Sequence, residues 1–362
     1  MSVGTPRVRV SRLRRRQREH RRRSVELMVT GIVIALGVAY ASTQIDGPAA
    51  AEAGGGSPTP STGRTPALLA LSVTGAPKPL LAIVGTAGSP PAAMGVPQGL
   101  TLEVPGAGDL TTRRVAALPG TGVQVALSNV VGAWAAHYAV TDLAHLATLV
   151  DRNGGLRVEL PEAVTLDEES LGPGQVRMTG IQVATFLGAE NQNTFTRWEV
   201  VLAGLLASPP KLAGGDLTES DDVADVQATL DGAKGGQIET LPVQVAAATV
   251  RVPKYAALDD LMAQRFGVKR APVPVIVQNA AGTPAVGEAV GRLIIGRGFR
   301  ITLSQNAVAF DKDVTQIVAL GEGHLGDARR LRAALGVGRI AVSQVASGIG
   351  DVQIIVGKDF TA

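Results

Sequence analysis

The chain has 362 residues, of which 45% are hydrophobic and 18% charged, with 44 glycines, 21 prolines and no cysteine. That length allows two or three folded units with real cores, and the composition excludes a disordered tail protein or collagen. The lack of cysteine excludes disulfides, thiolate metal sites and cysteine nucleophiles. Aromatic residues at 3% argue against reading single-stranded nucleic acid by base stacking.

The charge is split along the chain. Ten arginines stand between Arg7 and Arg23 against one acid, Glu19, which leaves 24 basic and 30 acidic residues from Ser24 onward. Residues 1–23 therefore read as a basic tail on an acidic body. Residues 24–45 contain the uncharged run Leu27–Ala41, LMVTGIVIALGVAYA, and approach the ~17–20 residues a helix needs to cross hydrocarbon. Arginines abutting an apolar span place the N-terminus in the cytoplasm and the bulk outside, so the sequence predicts a single-pass plasma-membrane protein. Two other readings stay open. Arg14–Arg16 and Arg21–Arg23 could be a nucleic-acid patch, although an acidic body outside the membrane speaks against a nucleic-acid partner. Ala39-Tyr40-Ala41 also fits a signal-peptide cleavage site.

Residues 46–63, DGPAAAEAGGGSPTPSTG, form a flexible linker with nothing to bury. Ala67–Val73 and Pro79–Val84 are apolar runs split by Gly75-Ala76-Pro77 and read as a strand pair, continued by Leu100–Val104. Val123–Tyr138 suits a buried helix, and Thr141-Asp142 opens another, with Thr141 as its N-cap. Asn153-Gly154-Gly155 stops that helix before an alternating strand, Leu156–Leu160. Thr179–Leu187 and Trp198–Leu206 read as helices, residues 209–240 as loop with a surface helix, and Val252–Phe266 as a further helix. This order predicts an α/β layered domain over 64–267, a mixed sheet packed with helices. After Arg270-Ala271-Pro272 the pattern restarts over 268–362. Strand Val273–Val277, helix Val286–Ile295, strands Arg300–Leu303 and Val314–Leu320, helix Ala328–Leu335 and strand Val352–Val356 make a compact β-α-β-β-α-β unit.

Catalytic motifs are scarce. Histidines 20, 137, 145 and 324 are scattered without H-E-x-x-H spacing, so no zinc site is expected. There is no G-x-S-x-G elbow and no phosphate-binding P-loop. Gly296-Arg297-Gly298 reads as a helix C-cap.

Several stretches nevertheless resemble the LytR-CpsA-Psr family of cell-envelope proteins. His137-Tyr138-Ala139-Val140-Thr141-Asp142-Leu143, with Leu149-Val150-Asp151, Gly154-Gly155-Leu156 and Val158-Glu159-Leu160-Pro161, is similar to the family's H-Y-x-V-x-D-F … L-V-D-x-x-G-G-V-x-V-x-V-P. Leu171-Gly172-Pro173-Gly174 through Met178-Thr179-Gly180, Gln182 and Ala184 resembles L-P-A-G-x-x-x-L-D-G-x-Q-A-L-A. Arg197, Val201 and Leu205-Leu206 follow R-Q-Q-E-V-L-K-A-L-L. The segment after residue 267, with Val275–Asn279, Gly298-Phe299 and Val352–Phe360, resembles the LytR C-terminal domain often appended to that family. The resemblance implies transfer of a glycopolymer from a polyprenyl pyrophosphate carrier to the cell wall. Arginines would grip the pyrophosphate, and carboxylates would hold magnesium and activate the acceptor.

The sequence departs from that pattern where the chemistry sits. The family's first acid falls on Pro66, its R-D pair on Gln98 and Gly99, and its lysine on Arg113, while the later arginine pair falls within Phe186–Glu190. The glutamines after Arg197 become Trp198 and Glu199. Proline and glycine side chains carry no ligand atoms and Gln98 is neutral, so no catalytic residue, no metal site and no cofactor are expected. Magnesium enters only if transfer persists. Arg113, Arg114 and Arg197 are the candidate phosphate contacts; a solvated pair suits Arg113 and Arg114 better than a clamp, and a surface or capping role suits Arg197 as well as a phosphate contact. Asp142 suits first-turn compensation of the helix dipole, and His137 and Tyr138 suit core or strand-edge positions. The reading that follows is a degenerate family member in the plasma membrane, with a polyprenyl-phosphate lipid, an active LytR-CpsA-Psr paralogue or a cell-wall polymer as partner. The alternatives are an active phosphotransferase with a rearranged site, using Arg113, Arg114, Arg197, Asp109 and Glu103, and an interaction protein with no lipid site.

Overall fold

The computed structural model describes residues 67–166, 169–189, 194–246 and 250–361. The basic tail, the apolar span at 24–45, the linker and Pro66 lie outside these residues. Among the described residues no helix is long and apolar enough to cross a membrane.

The apolar runs at the start form the centre of a mixed sheet. Strands β1 (Leu68–Thr74) and β2 (Leu80–Gly85) pair antiparallel, and β3 (Ala92–Val96) adds to β2. Strands β4 (Thr101–Val104) and β5 (Gly108–Thr111) form a separate hairpin, followed by the single turn α1 (Thr112–Val115) and the buried helix α2 (Gly120–Val131). Strand β6 (His137–Asp142) then runs parallel beside β1. Helix α3 (Leu143–Arg152) leads to β7 (Leu156–Leu160), the hairpin of β8 (Val164–Leu166) and β9 (Glu169–Leu171), and β10 (Gly174–Met178), which pairs with β7. Helices α4 (Gly180–Gly188) and α5 (Thr194–Ala207) follow, then β11 (Glu219–Ser220) on the β6 edge and α6 (Val223–Gly232). Strand β12 (Gln237–Thr240) closes the other edge parallel to β3, and the pair β13 (Val243–Val245) and β14 (Arg251–Pro253) precedes α7 (Tyr255–Phe266). The sheet order is β11-β6-β1-β2-β3-β12.

Helices cover both faces, which is why β1 to β3 read as continuous apolar runs rather than alternating ones. Successive residues of β1 serve opposite layers. Leu69 and Val73 pack with Leu146, Trp198, Val201 and Leu206; Leu68 and Ala70 pack with Val123, Leu127, Leu258 and Phe266.

The second unit contains β15 (Val273–Asn279), α8 (Val286–Ile294), β16 (Phe299–Asn306), β17 (Gln316–Leu320), α9 (Leu325–Leu335), β18 (Arg339–Ser343) and β19 (Val352–Val356), in sheet order β16-β15-β19-β17-β18. Both helices pack on one face, against Val275, Val277, Ile301, Ile317 and Ile354.

Four expectations need correction. The helix expected over Val123–Tyr138 ends at Gly132, whose φ of 67° breaks it, and His137-Tyr138 belong to β6, where the free edge of β1 supplies a parallel partner. Asp142, not Thr141, caps α3: its Oδ1 accepts the His145 N–H at 2.8 Å, while the Thr141 hydroxyl donates to the Asp216 carbonyl at 3.1 Å. Val252 lies in β14, so the last helix of this unit starts at Tyr255. The second unit has a further strand, β18, which carries a polar end and only half-buried apolar residues, so its sequence lacks a strong strand signature.

The two units are joined by buried polar groups. Asn129 in α2 is fully buried; its Nδ2 donates to the Glu103 carbonyl at 3.0 Å and the Ile301 carbonyl at 2.9 Å, and its Oδ1 accepts the Ile301 N–H at 2.8 Å. Arg300 is 3% exposed. Its guanidinium meets the Asp259 carboxylate at 2.6 Å, its Nε donates to the Asn129 carbonyl at 3.3 Å, and it lies over the Tyr255 ring at 4.4 Å. Beside them, burial pushes the Glu103 carboxyl up to about 8, with repulsion from Asp109 adding to it and a Ser304 backbone N–H opposing it.

Glu103 is thus protonated in the native protein at neutral pH but ionises in the unfolded chain near its ordinary value of 4.5. Its contribution to stability is full below about 4.5 and is lost as pH rises toward about 8. Denaturant unfolding between pH 5 and 9 should show that decline, and Glu103→Gln should flatten it.

Candidate functional site

Two loops meet at one end of the sheet. The β1–β2 turn brings Pro77, Lys78 and Pro79 beside the segment that follows β3, Pro97, Gln98 and Gly99. Strand β5 feeds directly into α1, so Thr112 and Arg113 arrive next to Gly99, whose N–H donates to the Thr112 hydroxyl at 3.1 Å. Arg251 joins from β14 by a bridge to Leu100 and by an Nη1–H donated to the Gln98 carbonyl at 3.3 Å. Together with Phe195 and Thr111 these residues line a cleft of about 510 Å³. Among the described residues its charged side chains are Lys78, Arg113 and Arg251, and no described lining residue is an acid. The Gln98 Nε2 is buried and has no hydrogen-bond acceptor. Such an arrangement attracts an anion and offers it charge-assisted hydrogen bonds, and among the described residues no carboxylate lines it.

The residues singled out in the sequence separate into three groups. Gln98, Gly99 and Arg113 lie on the cleft, and Arg114 is exposed beside Arg113 on α1. Arg197 lies elsewhere: its Nη1 donates to the Phe186 carbonyl at 3.0 Å and its guanidinium lies 4.9 Å from the centre of the Phe186 ring. Burial lowers its pKa, and its contacts tie α5 to α4. Asp109 and Glu103 are cross-strand partners in the β4–β5 hairpin, Glu103 at the junction with the second unit, and neither lines the cleft. Glu199 accepts from the Thr240 hydroxyl. Among the described residues no group of three or more acids and histidines is placed to hold a metal ion.

Lys78 and Arg251 carried no sequence signal. Lys78 sits in an ordinary Pro-flanked turn, and Arg251 reaches the cleft only through a bridge to a residue some 150 positions earlier.

Beneath the sheet lies a wholly apolar cavity between β1, β6, α3, α5 and α6, lined by Leu69, Leu146, Trp198, Leu202 and Leu230 among others. It holds only about 40 Å³, room for about one water-sized group where about 150 Å³ would take a benzene ring. Trp198 is fully buried there, with its Nε1–H donated to the Leu81 carbonyl at 3.2 Å. Helix α2, expected to pack on the sheet, does so on the opposite face.

A two-unit α/β protein with a cationic cleft is the class these features define. Residues 272–360 match the model of the LytR C-terminal family, described as LytR cell envelope-related transcriptional attenuator. Among curated proteins none matches the sequence. Solved structures similar to the chain include Bacillus subtilis TagV, at 11% identity and a TM-score of 0.45, covering 54% of this chain and 94% of that one. A LytR-Csp2A-Psr enzyme from Actinomyces oris is 18% identical with a TM-score of 0.44, covering 56% and 90%. Bacillus subtilis YwtF (TagT), solved with bound octaprenyl pyrophosphate lipid, is 12% identical with a TM-score of 0.44, covering 57% and 92%. The match to the LytR C-terminal family thus falls on the second unit of this chain, and the solved structures to which the chain is similar include LytR-CpsA-Psr proteins.

Arg197→Ala should lower stability by ~1–3 kcal/mol, the range for a lost hydrogen bond from a charged group, and leave anion binding in the cleft within twofold. Denaturant unfolding and a pyrophosphate titration of the same sample check both parts.

Proposed function

We propose that this is a membrane-anchored, extracytoplasmic LytR-CpsA-Psr-like protein of cell-envelope assembly that binds a phosphate-bearing ligand and does not transfer glycopolymer. The cleft carries this reading: Lys78, Arg113 and Arg251 surround it, Gln98 stands on its wall with a buried, unpartnered amide Nε2, and no acid lines it among the described residues. Phosphoryl transfer needs cations around the departing oxygens together with a base for the nucleophile and, commonly, metal-holding carboxylates. The cleft supplies only the first of these. Loss of one member of a cooperating catalytic set commonly costs orders of magnitude in rate, and here Gln98 and Gly99 replace two members at once.

The phosphate of a polyprenyl-phosphate lipid is the ligand that the family resemblance implies. The small size of the apolar cavity under the sheet supports a reading in which the head group carries the affinity. A cell-envelope role agrees with the LytR C-terminal domain at 272–360 and with the anchor expected at 24–45. An active paralogue that receives the lipid, or the wall polymer itself, is the protein's partner in this scheme.

The test is a titration of the full chain in detergent with pyrophosphate and with a polyprenyl phosphate, with and without magnesium. Binding that weakens with salt and falls at least fivefold in both Arg113→Ala and Arg251→Ala supports the reading. No binding, or magnesium-dependent transfer from a glycan-loaded carrier at the rate of an active relative, overturns it.

A further inference from the structure

The β4–β5 hairpin touches both the cleft and the C-terminal domain. At its base, the Leu100 carbonyl accepts the Thr112 N–H, Thr112 accepts from Gly99, and Leu100 bridges to Arg251, so the cleft wall from Gln98 to Arg113 hangs on the hairpin. At its tip, the Gly106 N–H donates to the Ser304 hydroxyl at 2.9 Å. The backbones approach so closely there that a Cβ on Gly287 would lie 2.5 Å from the Gly106 nitrogen and 2.6 Å from the Ser304 hydroxyl oxygen. Pro105 meets Gly291 of α8 in the same way. Along its side, the Glu103 carbonyl shares the Asn129 amide with Ile301 of β16. Base and tip are about 13 Å apart at ~3.3 Å per residue.

Two strands of four residues are too short to hold their own order in water. Leu102 and Val104 bury one face of β4 in the core of the first unit, whereas the tip and Glu103 rest on the C-terminal domain. The order of the hairpin therefore depends on both units.

We propose that the docked C-terminal domain is a positioning element for the cleft: by fixing the tip and side of the β4–β5 hairpin, it holds the Gln98–Arg113 wall in the geometry that binds an anion. The ligand in this statement rests on the phosphate-binding reading above. The positioning of the wall does not. Release of the C-terminal domain loosens the wall and weakens binding, and by linkage an occupied cleft tightens the docking by the same factor.

The experiment compares wild-type full chain with Gly287→Ala, which wedges the tip away, and Ser304→Ala, which removes the acceptor of the Gly106 N–H. Both are read by hydrogen exchange of residues 99–113 and by pyrophosphate titration. Expected are at least tenfold faster exchange in 99–113, unchanged exchange in β1, β2 and β6, and a dissociation constant raised at least fivefold. Unchanged exchange in 99–113 despite faster exchange across the α8–β16 contact overturns the proposal, as does a loosened hairpin with affinity held within twofold. If Gly287→Ala lowers the helical circular dichroism of the whole chain, Ser304→Ala alone decides. Should wild-type protein bind no pyrophosphate, the phosphate-binding reading falls while the exchange comparison still judges the positioning role.

Discussion

A buried amide must satisfy both of its ends, because an unpaired donor or acceptor out of water costs about 1–3 kcal/mol. Asn129 meets that demand with one backbone group from the hairpin and two from a strand 172 residues further on. Its side chain acts as a short piece of strand edge, presenting a donor and an acceptor to Ile301 as another backbone would. Arg300 follows the same logic at higher stakes. A guanidinium this deeply buried is tolerable only when paired and hydrogen-bonded, and Asp259, the Asn129 carbonyl and the Tyr255 ring together provide that. Each group is satisfied only while both units are in place, so the C-terminal domain is fixed to its neighbour rather than tethered to it.

This constraint decides what the remaining structure can do. The sheet is closed on both faces, by α3 to α6 on one side and by α2 and α7 on the other, which leaves its end as the place where polar side chains converge. The cleft there is made of turns and strand ends contributed by residues 77–79, 97–99, 111–113, 195 and 251. Loops on a rigid scaffold are a common setting for binding residues. Here the scaffold includes a second domain. The tryptophan at 198 acts on the interior: its indole fills space under the sheet and anchors to Leu81.

Much of this was legible in the sequence because burial on both faces leaves long apolar runs, and because glycine marks helix ends. Leu68–Thr74, Leu80–Gly85 and the stop at Asn153-Gly154-Gly155 follow from those signals. The Thr179 and Gln182 capping box opens α4 where the pattern places a helix. What could not be read rests on long-range pairing. Strand β12 is short and polar, and only its pairing with β3 makes it a strand. Asn129 sits inside an apolar helix, where an asparagine signals nothing about what it contacts. Arg197 and Arg113 are indistinguishable by composition, yet one is held against Phe186 and the other borders the cleft. Local sequence cannot separate them, because the difference lies in which helix each side chain meets.

Binding and transfer make different demands on the cleft. Binding an anion needs net positive potential and donors, properties that several arrangements of lysine and arginine satisfy and that tolerate displacement of an ångström or more. Accelerating phosphoryl transfer needs groups that act more strongly on the transition state than on the bound substrate, and those must be in register with the reacting atoms. In the reading proposed above, glycine at 99 and glutamine at 98, where the resemblance implies an acid and an arginine, do not supply the second property. Gly99 also brings no negative charge to oppose the cations. A cleft whose described lining holds cations and no acid can attract phosphate without a metal ion to bridge two negative charges. Cations without a lining acid are the combination that the proposed role, binding without transfer, requires.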